Sequence, residues 1–185
     1  MDHNKFHVTL SALRKAGACV AGYNRLVRAL QGCGFTKADN ARGAYIRFPH
    51  KDPVSLRFVL DSNGLDDALW ALRCIDGADN DKDVRLFVVW CVRQVEHLMT
   101  DARSIDALDV DELYANNQAT DGAAGAAARI SSLGEPASAW GAARSAARSA
   151  AWASANSGLA WNSAWLAARD AQKTRLSEML EAGRF

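Results

Sequence analysis

An all-α protein, a multi-helix bundle, is what the sequence predicts, and three observations predict it. Apolar residues recur at three- and four-residue spacing through much of the first 117 positions, as in Tyr23, Leu26, Val27 and Leu30. Alanine, the strongest helix former, dominates the last third, with arginines and tryptophans spaced along it. Strand signals are sparse, and 3 prolines do not supply the turns of an all-β sandwich. The one β expectation is a short strand pair near 45–60.

The elements follow in order. Phe6, Leu10 and Leu13 share a helical spacing, and Gly17 ends that helix. Residues 18–31 carry the Tyr23/Leu26/Val27/Leu30 stripe and stop at Gly32 and Gly34. Residues 33–52 show no sustained period and are too long for an ordinary connector, with a short strand expected around Tyr45–Phe48. Asp52-Pro53 has the form of an N-cap followed by proline at the first helical position. The alternation at Val54, Leu56, Phe58 and Leu60 fits a strand as well as a helix, and Asn63-Gly64 gives a stop. Asp66 and Asp67 suit the first turn of a helix whose apolar side is Leu65, Leu69, Trp70 and Leu72. Asn80 or Asp81 caps the next element. The run DVRLFVVWCVRQVEHLM is apolar nearly all round and too long for a strand, so it reads as a central buried helix despite its valines. Ser104 caps a further helix through Ile105, Leu108, Val110, Leu113 and Tyr114.

Composition changes at 118. Residues 1–117 read as a globular helical region and 118–185 as an Ala/Trp-rich helical layer packed on it, one structural domain overall. Helices are expected over 121–132, 136–155 and 159–182, with Pro136 near a start and Asn156-Ser157-Gly158 as a break or kink. Alanine faces let helix backbones approach closely, and Trp140, Trp152, Trp161 and Trp165 are expected to fill the gaps between them.

The net charge of +1 hides an asymmetry: 10 Lys/Arg against 3 Asp/Glu over residues 1–59, then 5 against 13 over 60–115. Such a split signifies complementarity inside the fold or two faces for two partners. The 4 cysteines form no CxxC and match no zinc spacing, and no signal-peptide pattern opens the chain, so a reducing cytoplasm is the expected setting. The uncharged stretch between Arg148 and Arg169 is long enough for a membrane, but its Ser, Asn and Ala content argues against spanning.

Catalytic signatures of the GxSxG, HExxH, Walker and GxGxxG types are absent from the sequence. His3 and His7 would share a helix face, yet a metal site needs further ligands, and neither metal nor cofactor is expected. Glu96 and His97, with Arg93 one turn back, offer a carboxylate–imidazole pair without a nucleophile beside it. Asp61, Asp66, Asp67, Asp76, Asp79, Asp81 and Asp83 fall near helix ends, where capping explains them.

The strongest binding candidate is the 35–51 segment, where Phe35, Lys37, Arg42, Tyr45, Arg47, Phe48 and Lys51 interleave cations with aromatic rings. Such a pattern serves an acidic protein surface, or the phosphates and bases of a nucleic acid. The plain alternative is pairing with the acidic 60–115 segment of the same chain. Arg144 and Arg148, one turn apart, form a secondary basic face.

The stretches SNGLDDALWALRCI and DVRLFVVWCVRQVEHLM, followed by an Ala/Trp/Arg-rich tail ending AARDAQKTRLSEML, resemble a family of small phage and bacterial proteins that carry an immunity-protein label. The likeness covers residues 16–182, with 33–52 as a less typical insertion and 62–99 as its more specific part. It carries over no catalytic residues. It implies an all-helical fold, a cytoplasmic setting and a non-enzymatic protein that binds and neutralises another macromolecule, as an immunity or counter-defence protein does. Tyr45, Arg47 and Phe48 are the expected anchors for a protein partner. A nucleic-acid or nucleotide binder using the same loop is the alternative, and a small enzyme built on Glu96 and His97 is the third reading. Exposed alanine faces would favour a homodimer.

Overall fold

The computed structural model describes residues 6–75, 81–98, 100, 102–116, 118, 139–156 and 161–183. The described chain is mostly helical with one two-stranded antiparallel sheet, as the sequence predicts. Its contacts gather into two units, residues 1–78 and residues 79–185. The compositional change at 118 is a different boundary from this one.

In the first unit, β1 (His7–Val8) pairs with β2 (Val54–Ser55), with His7 opposite Ser55 and Val8 opposite Val54. The strand pair near 45–60 therefore has one strand in that range, and its partner comes from the N-terminal end. Thr9 explains why the first helix starts later than Phe6. Its hydroxyl accepts from the Ala12 amide at 3.1 Å and caps α1 (Leu10–Lys15), leaving residues 7–8 extended. Helix α2 (Val20–Leu30) buries Tyr23, Asn24, Leu26 and Val27. The short α3 (Lys37–Asn40) lies where no element was expected, set by a capping box between Thr36 and Asp39. Helix α4 (Leu56–Asn63) is capped by Ser55, whose hydroxyl accepts from the Phe58 amide, rather than by Asp52.

Gly64 then separates α4 from α5 (Leu65–Ala71) with φ 90° and ψ 178°, a conformation that glycine alone adopts without strain. A 3₁₀ turn over Leu72–Cys74 follows. Val8, Leu13, Leu26, Val27, Leu56, Leu60, Leu69 and Leu72 make the core of this unit.

In the second unit, α6 spans Asp81–Arg93, α7 Ala102–Ala115, α8 Ala139–Asn156 and α9 Trp161–Glu181. The central helix is shorter than expected. It stops at Arg93, and Glu96–Leu98 forms a separate 3₁₀ turn. Ser104 lies inside α7 rather than at its cap. The helix expected over 121–132 and the start at Pro136 lie outside the described residues.

Helix α8 packs against α6 and α9 through Ala147, Ala150, Ala151 and Ala155, all buried, at spacings of three and four. Gln172 on α9 is buried and donates from Nε2 to the Ala147 carbonyl at 2.8 Å, tying the two helices backbone to side chain. Trp152 does not fill a gap in this packing. It falls one position off the alanine stripe and is 54% exposed. Trp165 is half-buried, with the Arg169 guanidinium 6.0 Å from its ring centre. The side chains of Trp140 and Trp161 lie outside the described residues, among which Phe87, Leu176 and Met179 supply buried bulk in this unit.

Replacing a buried alanine by leucine inserts three carbons where two backbones meet. Ala151→Leu is expected to cost about 1–3 kcal/mol, read as a lowered urea midpoint, whereas Ser149→Ala on the exposed side stays within about 0.5 kcal/mol.

Candidate interaction surface

The 35–51 segment is held to α2 by side chains of α2 itself. Asn24 is fully buried, and its amide serves two backbone groups of the segment: Nδ2 donates to the Ala44 carbonyl at 3.1 Å, and Oδ1 accepts from the Ile46 amide at 2.8 Å. Those bonds replace the strand ladder expected around Tyr45–Phe48, which does not form. Ile46 is buried beside them. Tyr45 meets Tyr23 edge to face with ring centres 4.8 Å apart, and its hydroxyl donates to the Ala18 carbonyl. Burial raises the Tyr23 hydroxyl above its ordinary pKa, against the opposing pull of Arg14.

A second clamp lies at the start of the segment. Arg28 of α2 donates from Nε and Nη2 to Asp39 Oδ1 at 3.0 and 2.7 Å. The other Asp39 oxygen accepts from the Thr36 hydroxyl and amide. The Arg28 guanidinium and the two Thr36 donors together hold the Asp39 carboxyl well below the usual carboxylate range. Phe35 lies under the Arg25 guanidinium, 4.9 Å from carbon to ring centre.

The predicted site residues therefore divide into two groups. Phe35 and Tyr45 are committed to the fold. Lys37, Arg42, Arg47 and Lys51 are exposed and make no ion pair among the described residues. Phe48 is half-buried and stacks on His50, with rings 5.5 Å apart and 4° from parallel. Of the expected anchors, Tyr45 is an internal strut, and Arg47 and Phe48 remain outward or partly so. Arg148 is exposed on α8 and already engaged, and the Arg144 side chain lies outside the described residues. Sequence reasoning missed Asn24, which gives no signal because it sits inside an apolar stripe. The Thr36–Asp39 box was legible in the spacing of those two residues.

The other candidates resolve differently. Glu96 accepts from Arg93 Nη1 at 3.0 Å, and the same guanidinium donates to Asp109 at 2.6 Å and Glu112 at 2.7 Å, so Arg93 joins the end of α6 to α7. His97 is exposed on the 3₁₀ turn. His3 lies outside the described residues, and His7 is a strand residue. Among the described residues no three His, Cys, Asp or Glu side chains are placed to hold a metal ion. Burial pushes the Cys91 thiol up to about 12 despite nearby Arg169, so it stays protonated and acts as a small apolar side chain.

An open cleft of about 280 Å³ in the second unit is lined by Trp90, Gln94 and the alanine methyls of α8 and α9. Its amides are already bonded, Gln94 to the Trp90 carbonyl and Gln172 to Ala147. No described helix is long and apolar enough to cross a membrane. No family model, curated protein or solved structure matches the chain.

Two outcomes test the clamps. Asn24→Leu keeps the branched side-chain skeleton, with bulkier methyl ends, but leaves the Ala44 carbonyl and Ile46 amide without partners. The expected cost is about 2–3 kcal/mol, with faster hydrogen exchange at Ile46. Because the Asp39 carboxyl is depressed in the folded state, its stabilisation is complete above the unfolded carboxylate value of about 4 and is lost as pH falls below it. Asp39→Asn is expected to be less stable at pH 7 and to lose less further stability on acidification, as read from urea midpoints across pH.

Proposed function

We propose that this protein is a non-enzymatic binding module that docks its 35–51 loop onto an acidic surface of another protein and blocks that protein, in the manner of an immunity or counter-defence inhibitor. One observation carries the reading: the loop is clamped by buried polar bonds while Lys37, Arg42, Arg47 and Lys51 are left without ion pairs among the described residues. A rigid loop loses little conformational entropy on binding, and unpaired cations on it accelerate encounter with an acidic partner. Arg47 is the outward anchor, with the Phe48–His50 stack beside it. The free thiols at Cys19, Cys33, Cys74 and Cys91 suit a cytoplasmic setting. The sequence resemblance to immunity-labelled proteins points the same way.

A second reading has a specific observation in its favour. The parallel Phe48–His50 rings next to Arg47 and Lys51 have the make-up of a base-stacking platform, which favours a single-stranded nucleic acid.

The test is capture on the tagged full chain from a nuclease-treated bacterial lysate, run beside Arg42→Glu/Arg47→Glu/Lys51→Glu. The expected result is one protein at near-equal amount on the wild type, bound at least tenfold more weakly by the triple variant, with urea midpoints unchanged. Equal capture by both proteins overturns the loop as the contact. Nucleic acid released by salt from untreated lysate, with no protein retained, selects the second reading.

A further inference from the structure

The loop has a complementary surface within the chain's own sequence. Residues 1–78 hold 11 Lys/Arg against 7 Asp/Glu, and residues 79–185 hold 11 against 14. Every copy in solution thus brings a basic and an acidic unit at the same concentration.

The acidic surface is the outer face of α7. Among the described residues, Asp106, Asp109 and Leu113 of α7 and Asn116 just after it are exposed, and their spacing of three, four and three residues puts them along one stripe. Asp106 makes no ion pair among the described residues. Asp109, Glu112 and Glu96 share the single Arg93 guanidinium, so three carboxylates face one cation. Leu113 is 44% exposed in the last turn of this acidic helix. The loop presents the converse: Arg42, Arg47 and Lys51 unpaired, with half-buried Phe48 among them.

We infer that the outer face of α7 receives the 42–51 loop of a second copy of this chain, with the loop cations on Asp106, Asp109 and Glu112 and an apolar centre formed by Leu113 and Phe48. The association is head to tail, each contact joining two different patches. Its charges are solvent-exposed, so it is weak and salt-sensitive, screened once the Debye length falls to a few ångströms. The inference rests on the proposed reading only in taking the loop as a docking surface. Its added content is self-masking: a copy engaged in this way has its loop covered until a stronger acidic partner displaces α7.

Sedimentation of the purified full chain from about 1 to about 200 µM, at about 50 and about 500 mM salt, tests it. The expected result is an average mass that rises with concentration from 20.0 kDa to twofold or more at low salt and stays at 20.0 kDa at high salt. Asp106→Lys/Leu113→Lys and Arg42→Glu/Arg47→Glu are each expected to remain monomeric. Mixed in equal amounts they are expected to pair, because the first keeps an intact loop and the second an intact α7. The milder Asp106→Asn and Arg47→Gln repeat the experiment should either double variant unfold by circular dichroism. A constant 20.0 kDa under all conditions overturns the inference. So does an association that survives salt and both variants, or a mixture that stays monomeric. A wild-type chain that stays monomeric while partner capture is intact overturns this inference alone, leaving the proposed function standing.

Discussion

The arrangement of the first unit turns on one side-chain amide. Asn24 sits on the buried stripe of α2, where an unpaired amide would cost several kcal/mol. Both its ends are satisfied by the backbone at Ala44 and Ile46. The bonds are therefore obligatory in a way that surface bonds are not. They fix where the 33–52 segment lies, bring Tyr45 to Tyr23, and bury Ile46. The Arg28–Asp39–Thr36 cluster holds the other end of the segment against the same helix. A stretch with no periodic pattern thus becomes a defined surface, because polar groups rather than apolar ones specify its path.

The second unit solves a different problem. Its inner face on α8 is alanine at 147, 150, 151 and 155, which contributes little apolar area per residue but lets neighbouring backbones come close. The larger side chains that complete the packing belong to the other helices, as with Phe87 on α6 and Leu176 and Met179 on α9. Arg93 closes the end of α6 against α7 by charge-assisted bonds to Asp109 and Glu112.

What was legible in the sequence follows from this contrast. Periodicity located α2, α5, α6, α8 and α9, since apolar or alanine faces repeat with the helix. It misjudged α1 because Thr9 can cap a helix and so leave Phe6, His7 and Val8 free to extend. It merged α6 with the turn at Glu96–Leu98, because apolar content alone does not mark where Arg93 turns to α7. Trp152 carried the expectation of a gap filler, yet a one-residue offset from the alanine stripe places it outside. The basic loop was visible as composition, but which of its side chains are struts and which are free depends on Asn24 and Ala18, partners more than twenty residues away. Long-range polar pairing of that kind leaves no local pattern to read.

The corner at Gly64 has a consequence for how the chain acquires its shape. Helices α4 and α5 meet across a single residue, so joining them closes almost no loop and sacrifices almost no chain entropy. The β1–β2 pair, by contrast, joins the two ends of a long intervening stretch. Contacts of the first kind form on a timescale set by local helix growth, whereas the second kind wait on the ordering of everything between. The α4–α5 corner is thus among the contacts of the first unit that cost least chain entropy to close, and the small sheet is among those that cost most.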